Sequence, residues 1–142
     1  MSGPVRPVIG RDNAFFFEGT AKRELRIQSC NACGTLRHPP GPACLACDAY
    51  DRGHVVARGE GTVYSYTVVH APKLPGKELP LVIALLDLPE GVRMVAEVTG
   101  VPPEGEDGLR IGERLVVDWN VIPPTGSGHR YEELTLPIWR RP

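Results

Sequence analysis

No stretch of this 142-residue sequence approaches the roughly 18 consecutive apolar residues that a membrane-spanning helix needs, so no bilayer span is expected. The opening "MSGPVRPVIGRDNAFFFEG" also lacks the apolar centre of a secretory signal, because Pro4, Arg6, Pro7 and Arg11 interrupt it. A cytoplasmic, thiol-reducing setting is therefore expected, and it disfavours disulfides. Charge of one sign is missing as well: the formal net charge is -1. Residues 1–58 carry eight Lys/Arg against five Asp/Glu, and residues 59–142 carry eight against twelve, far from the basic footprint of a nucleic-acid binder. Catalytic signatures are absent too. There is no Gly-rich phosphate loop, no G-x-S-x-G and no H-E-x-x-H, and the acidic residues of 104–107 read as a solvated turn. Taken from the residues alone, the chain reads as a binding or scaffold module with no catalytic residues of its own.

Cysteine is absent except between residues 30 and 47, where all four lie in "CNACGTLRHPPGPACLAC". Each C-x-x-C sets two thiolates on a tight turn, and two such knuckles facing each other make a tetrahedral four-sulfur cage suited to zinc, with iron as the alternative. Gly34 fits the positive φ that such a turn needs. Asp48 holds the equivalent place in the second knuckle and tolerates that conformation less well. A redox role wants one C-x-x-C beside a βαβ pattern, and a catalytic zinc wants an open position, whereas four cysteines close the shell. Cys30, Cys33, Cys44 and Cys47 are thus expected to hold a structural zinc, with His38 left as a loop residue.

Sixteen glycines and fifteen prolines point to many short strands and turns. A short helix is expected over the segment containing Phe15, Phe16 and Phe17, with Asp12 or Asn13 as its N-cap. Three consecutive phenylalanines cannot share one helix face, so at least one packs against the second half of the chain or against a partner. Leu25 and Ile27 lie on a strand entering Cys30. From Gly59 onward the pattern is all strand: 61–70, with Val63, Ser65, Thr67 and Val69 on one face and Tyr64, Tyr66, Val68 and His70 on the other; 81–88, read as buried on both faces; 92–98; 114–121; and 129–136. Trp119 is assigned to the core. Five short strands suit a small closed barrel. The fold class is mostly β: residues 1–11 a linker or flexible N-terminus, 12–58 a helix and zinc ribbon, and 59–142 a five-stranded OB-fold barrel.

Four motifs taken together, "LRIQSCNACG" at Leu25–Gly34, "PPGPACLAC" at Pro39–Cys47, "GEGTVYSYTVVH" at Gly59–His70 and "GLRIGERLVV" at Gly108–Val117, resemble the OB-fold proteins with a rubredoxin-like zinc ribbon known as domain of unknown function thirty-five. The resemblance covers essentially Asp12–Pro142. Members of that family accompany thiolase-like proteins in acyl-CoA metabolism. Some form the tail of a MaoC-like hydratase subunit in steroid side-chain degradation, where the domain binds a lipid-transfer-protein-like thiolase homologue and the pair cleaves a β-hydroxyacyl-CoA by a retro-aldol reaction. The resemblance implies a non-catalytic accessory subunit or domain of such a carbon–carbon lyase complex, possessing a thiolase-like partner and a hetero-oligomeric assembly, with a CoA thioester nearby. Granted that role, the local basic charge alone points Arg26, Arg37 and His38 towards the phosphates of CoA, and the phenylalanines Phe15, Phe16 and Phe17 are expected at the partner interface. The alternative is a zinc-ribbon and OB-fold nucleic-acid module, which would need a basic stripe and salt-dependent binding.

Overall fold

The structure is a computed structural model that describes residues 5–126 and 132–142. One helix, α1 (Ala14–Ala21), precedes eight strands: β1 (Arg26–Cys30), β2 (Leu36–Arg37), β3 (Arg52–Val56), β4 (Glu60–Val69), β5 (Leu81–Asp87), β6 (Arg93–Val98), β7 (Arg114–Ile122) and β8 (Leu134–Arg140). The first three make a small antiparallel sheet in the order β2-β1-β3, and the other five close into a barrel in the order β4-β5-β6-β8-β7. Closure removes the exposed edges that a five-stranded open sheet would leave.

The helix is short because its sequence stops it twice. Asn13 stands at the N-cap, but its side chain turns backwards: Oδ1 accepts from the Gly10 N–H at 2.7 Å and Nδ2 donates to the Val8 carbonyl at 3.0 Å. Asp12 is paired with Arg52 at 2.9 Å, so neither expected cap closes the helix. At the other end Arg23 takes φ 63, and the Glu24 and Arg23 N–H groups return to the Gly19 and Thr20 carbonyls, both at 2.9 Å. That is a Schellman stop with an arginine where glycine is usual. Thr20 is fully buried and donates to the Thr135 carbonyl at 2.7 Å, while Arg23 reaches the Thr135 hydroxyl at 3.2 Å. These bonds seat the helix on β8.

In β4 a bulge between Val63 and Ser65 inserts Tyr64 as an extra residue. Val63, Tyr66 and Val68 stand opposite Leu86, Ala84 and Val82, all three on the core face of β5. The strict alternation expected across 61–70 therefore fails after Val63, and Ser65 and Thr67 face outwards. β5 is buried on one face only: Val82, Ala84 and Leu86 point into the barrel and Leu81, Ile83 and Leu85 are half-covered. Its unbroken apolar run reflects that partial cover, part of which is drawn over by the ion pair between Lys77 of the 71–80 loop and Glu97, whose partner in register is Ile83.

The final strand runs later than the sequence suggests. Residues 129–131 of the expected strand lie outside the described residues, and the described strand continues through Pro137 to Arg140. Proline is accommodated because β8 meets β6 only at Val98–Trp139, which leaves Pro137 with a single ladder neighbour, Trp119. Trp139, with no exposed surface, occupies the centre of the core, while Trp119 packs against its margin. The same core cluster contains Leu25 and Ile27 of the small sheet, together with Val63, Leu86 and Leu115 of the barrel. Gly59 makes the joint. Its φ is 77, and a β-carbon there would stand 2.7 Å from Val117 Cγ1.

Candidate metal centre and its surroundings

The two knuckles fold the same way. The Cys30 N–H donates to the Thr35 carbonyl (3.0 Å) and the Gly34 N–H to the Cys30 carbonyl (2.8 Å); the Cys44 N–H donates to Ala49 and the Asp48 N–H to Cys44, both at 2.9 Å. Gly34 and Asp48 have φ 79 and 63, so the left-handed turn expected at Gly34 is also taken at Asp48, whose residue type suits it less well. Each knuckle thereby presents one buried sulfur (Cys30, Cys44) and one exposed sulfur (Cys33, Cys47).

The sulfurs of Cys30 and Cys47, and of Cys33 and Cys44, lie 3.6 Å apart, and all four lie within 4.8 Å of one another. A tetrahedron with metal–sulfur bonds of about 2.3 Å has edges of about 3.8 Å, so the cage has the size zinc requires. The donor chemistry agrees. Thr35, through its hydroxyl and its backbone, holds Cys33 down to about 6. At Cys47 the backbone of Ala49 also lowers the thiol, but the neighbouring Cys30 and Cys33 sulfurs outweigh it and push the group up to about 12. Four sulfurs this close share protons unless a cation compensates them. A divalent metal with four thiolate ligands does so, and it closes the shell.

The connector between the knuckles has no regular structure beyond β2. Arg37 donates to the Ala43 carbonyl at 2.6 Å, the Gly41 N–H donates to the buried Gln28 side chain at 2.9 Å, and Arg52 donates to the Gly41 carbonyl at 2.6 Å. Gln28 lies within the first quoted motif, but neither it nor Arg52 carries any local sign of this holding role. Gln28 reads in sequence as the outward residue of an alternating strand, and only the fold brings the connector over it.

The remaining candidates are spread around this ribbon. Arg26 is buried: its stem crosses Gly19, where a β-carbon would stand 2.6 Å from Arg26 Cδ, and its head reaches Glu24 at 3.3 Å and the Phe15 carbonyl at 3.5 Å. His38 lies 5.8 Å from the Phe16 ring, and burial lowers its pKa. Phe15 stacks on His54 at 6.0 Å, Phe16 packs on the core, and Phe17 meets Phe16 edge-on at 5.3 Å; all three are half-buried. For the nucleic-acid alternative, a base stacking on the barrel at Tyr64 would meet Arg93, which lies 3.6 Å over that ring and is held by Asp87 at 2.6 Å. Among the described residues no helix is long and apolar enough to cross a membrane.

A four-cysteine zinc ribbon sharing its core with a closed five-stranded OB barrel defines the class of protein. Two family models match, the rubredoxin-like zinc ribbon domain of ChsH2 over residues 17–51 and the C-terminal OB-fold domain of ChsH2 over residues 54–120. The chain belongs to this ChsH2-type DUF35 family, and its four cysteines are the zinc ligands of the ribbon.

Among curated proteins the chain is 48% identical, over 95% of its length, to a Thermomonospora curvata protein named "Probable enoyl-CoA hydratase alpha subunit". It is 50% identical over 70% of its length to the 3-oxo-4,17-pregnadiene-20-carboxyl-CoA hydratase alpha subunit of Mycobacterium tuberculosis. It spans only 39% and 32% of those two relatives. Among solved structures it is similar to a chain of the Ltp2-ChsH2(DUF35) aldolase, with 46% identity, a TM-score of 0.79, and coverage of 96% of this chain and 98% of that one.

Proposed function

We propose that this chain is an accessory subunit or domain that docks on a thiolase-like partner in acyl-CoA metabolism and completes a carbon–carbon lyase that cleaves a β-hydroxyacyl-CoA in steroid side-chain degradation. The observation that carries this reading is the near end-to-end likeness to a chain of the Ltp2-ChsH2(DUF35) aldolase. The retro-aldol step needs a base for the β-hydroxyl and donors for the enolate that forms on the thioester side. Among the described residues no nucleophile–base–orienter constellation is assembled, so both tasks fall to the partner. The zinc ribbon then serves as a rigid arm, and the half-buried phenylalanines of α1 form the docking side, where aromatic side chains commonly dominate affinity.

Of the three residues expected to meet substrate, Arg37 lies with its guanidinium across Gly41 and one amino group on the Ala43 carbonyl, but it has no carboxylate partner among the described residues, so its charge is the one left for a phosphate. Arg26 is committed to the helix–ribbon joint, and His38 offers a neutral ring. The setting inferred is cytoplasmic.

Co-purification with candidate thiolase-like proteins, followed by a β-hydroxyacyl-CoA cleavage assay on each protein alone and on the mixture, tests the proposal. Activity confined to the mixture is expected. Retention of no thiolase homologue, with steeply salt-dependent binding of single-stranded nucleic acid instead, overturns it.

A further inference from the structure

A cleft of about 300 Å³ lies where the segment entering α1 passes the second knuckle, lined by Arg11, Asp12, Pro42, Tyr50 and Arg52. Its size is at the small end of the range for small-molecule sites. Arg52 is held three ways: one amino group donates to the Gly41 carbonyl at 2.6 Å and meets Asp12 at 2.9 Å, while the other reaches the Arg11 carbonyl at 3.4 Å. This fixes a planar cation in the wall and cancels the charge of Asp12. Arg11 is exposed, and its side chain has no ion pair or hydrogen bond among the described residues, so the cleft keeps one uncompensated positive charge. Tyr50 is 77% exposed and makes no ring contact among the described residues. Tyr50 follows Cys47 by three residues and Pro42 precedes Cys44 by two, so the zinc cage sets the distance between an apolar wall and an open aromatic face.

An unpaired guanidinium beside an open phenol ring matches a ligand with a phosphate at one end and a planar ring at the other. We propose that this cleft binds a nucleotide-type ligand, its phosphate on Arg11 with Arg52 behind it and its base on the Tyr50 ring. The site is independent of the partner-docking reading, because every residue in it belongs to this chain and the isolated zinc-loaded protein suffices to test it.

The experiment is calorimetric or NMR titration of the full zinc-loaded chain with AMP, with adenosine and with inorganic phosphate, for the native sequence and for Arg11→Glu and Tyr50→Ala. AMP is expected to bind more tightly than adenosine or phosphate. Arg11→Glu is expected to weaken AMP by about tenfold or more, the loss of one charge-assisted contact. Tyr50→Ala is expected to bring AMP down to the level of phosphate. Both side chains are exposed, and an unchanged melting temperature and zinc content will show that the variants are folded. AMP binding no tighter than phosphate, or AMP affinity unmoved by both substitutions, overturns the proposal.

Discussion

At the scale of single residues, His38 illustrates how position decides chemistry. Its ring sits beside Phe16, and burial holds its pKa below the ordinary 6.5. Above 6.5 the ring is neutral in both folded and unfolded chains and its contribution to stability is complete. As pH falls below 6.5 the unfolded chain takes up a proton that the folded chain resists, so that contribution is lost down to the folded value. His38→Gln removes the effect. The stability difference between the native protein and His38→Gln, measured by urea denaturation with zinc present, is expected to shift towards the variant between pH 7.5 and pH 5.5. A difference that stays constant across that range would mean the ring titrates as it does in water. The four cysteines were legible because metal chemistry imposes a spacing on the chain itself. The placement of Arg26 was not, since a charged residue between Leu25 and Ile27 gives no local sign that its stem will lie across a glycine on the preceding helix.

At the scale of elements, the joint between small sheet and barrel depends on Gly59, which needs both a left-handed backbone and the absence of a β-carbon facing Val117. Gly91 separates the two requirements, because its φ is 97 and nothing lies within 4 Å of the added atom. Gly91→Ala is expected to lose about 1 kcal/mol from backbone strain alone. Gly59→Ala is expected to lose at least about 2 kcal/mol, the excess coming from overpacking. Equal losses in urea titration would show that Val117 yields freely. The strands themselves were readable from β-branched and aromatic runs. Their faces were readable only up to the bulge after Val63, because an inserted residue reverses the alternation without changing the composition. The last strand was truncated at 136 because proline ordinarily ends a strand, whereas here the partial pairing of β8 with β6 makes room for it. Trp139, the centre of the core, lies beyond that proline and was missed with it.

At the scale of the whole molecule, ribbon and barrel share one core, so zinc stabilises more than the segment that binds it. Apparent binding energies of structural zinc sites are on the order of 10 kcal/mol. Removal of zinc by a strong chelator is therefore expected to lower the melting temperature of the barrel strands together with the ribbon, as one transition seen by both far-UV dichroism and tryptophan fluorescence, since Trp139 reports on the common core. A barrel transition unchanged after zinc loss would separate the two units. The seating of α1 on β8 has a further consequence, in time. The Thr20–Thr135 bond joins residues 115 apart, and Arg6 donates to the Glu132 carbonyl across 126. On a ribosome adding roughly 5–20 residues each second, the first helix emerges on the order of ten seconds before the strand that receives it. Through that interval Phe15 already has His54 to stack on, but Thr20 and the helix face around it lack the strand that buries them, and the nascent chain leaves that face open.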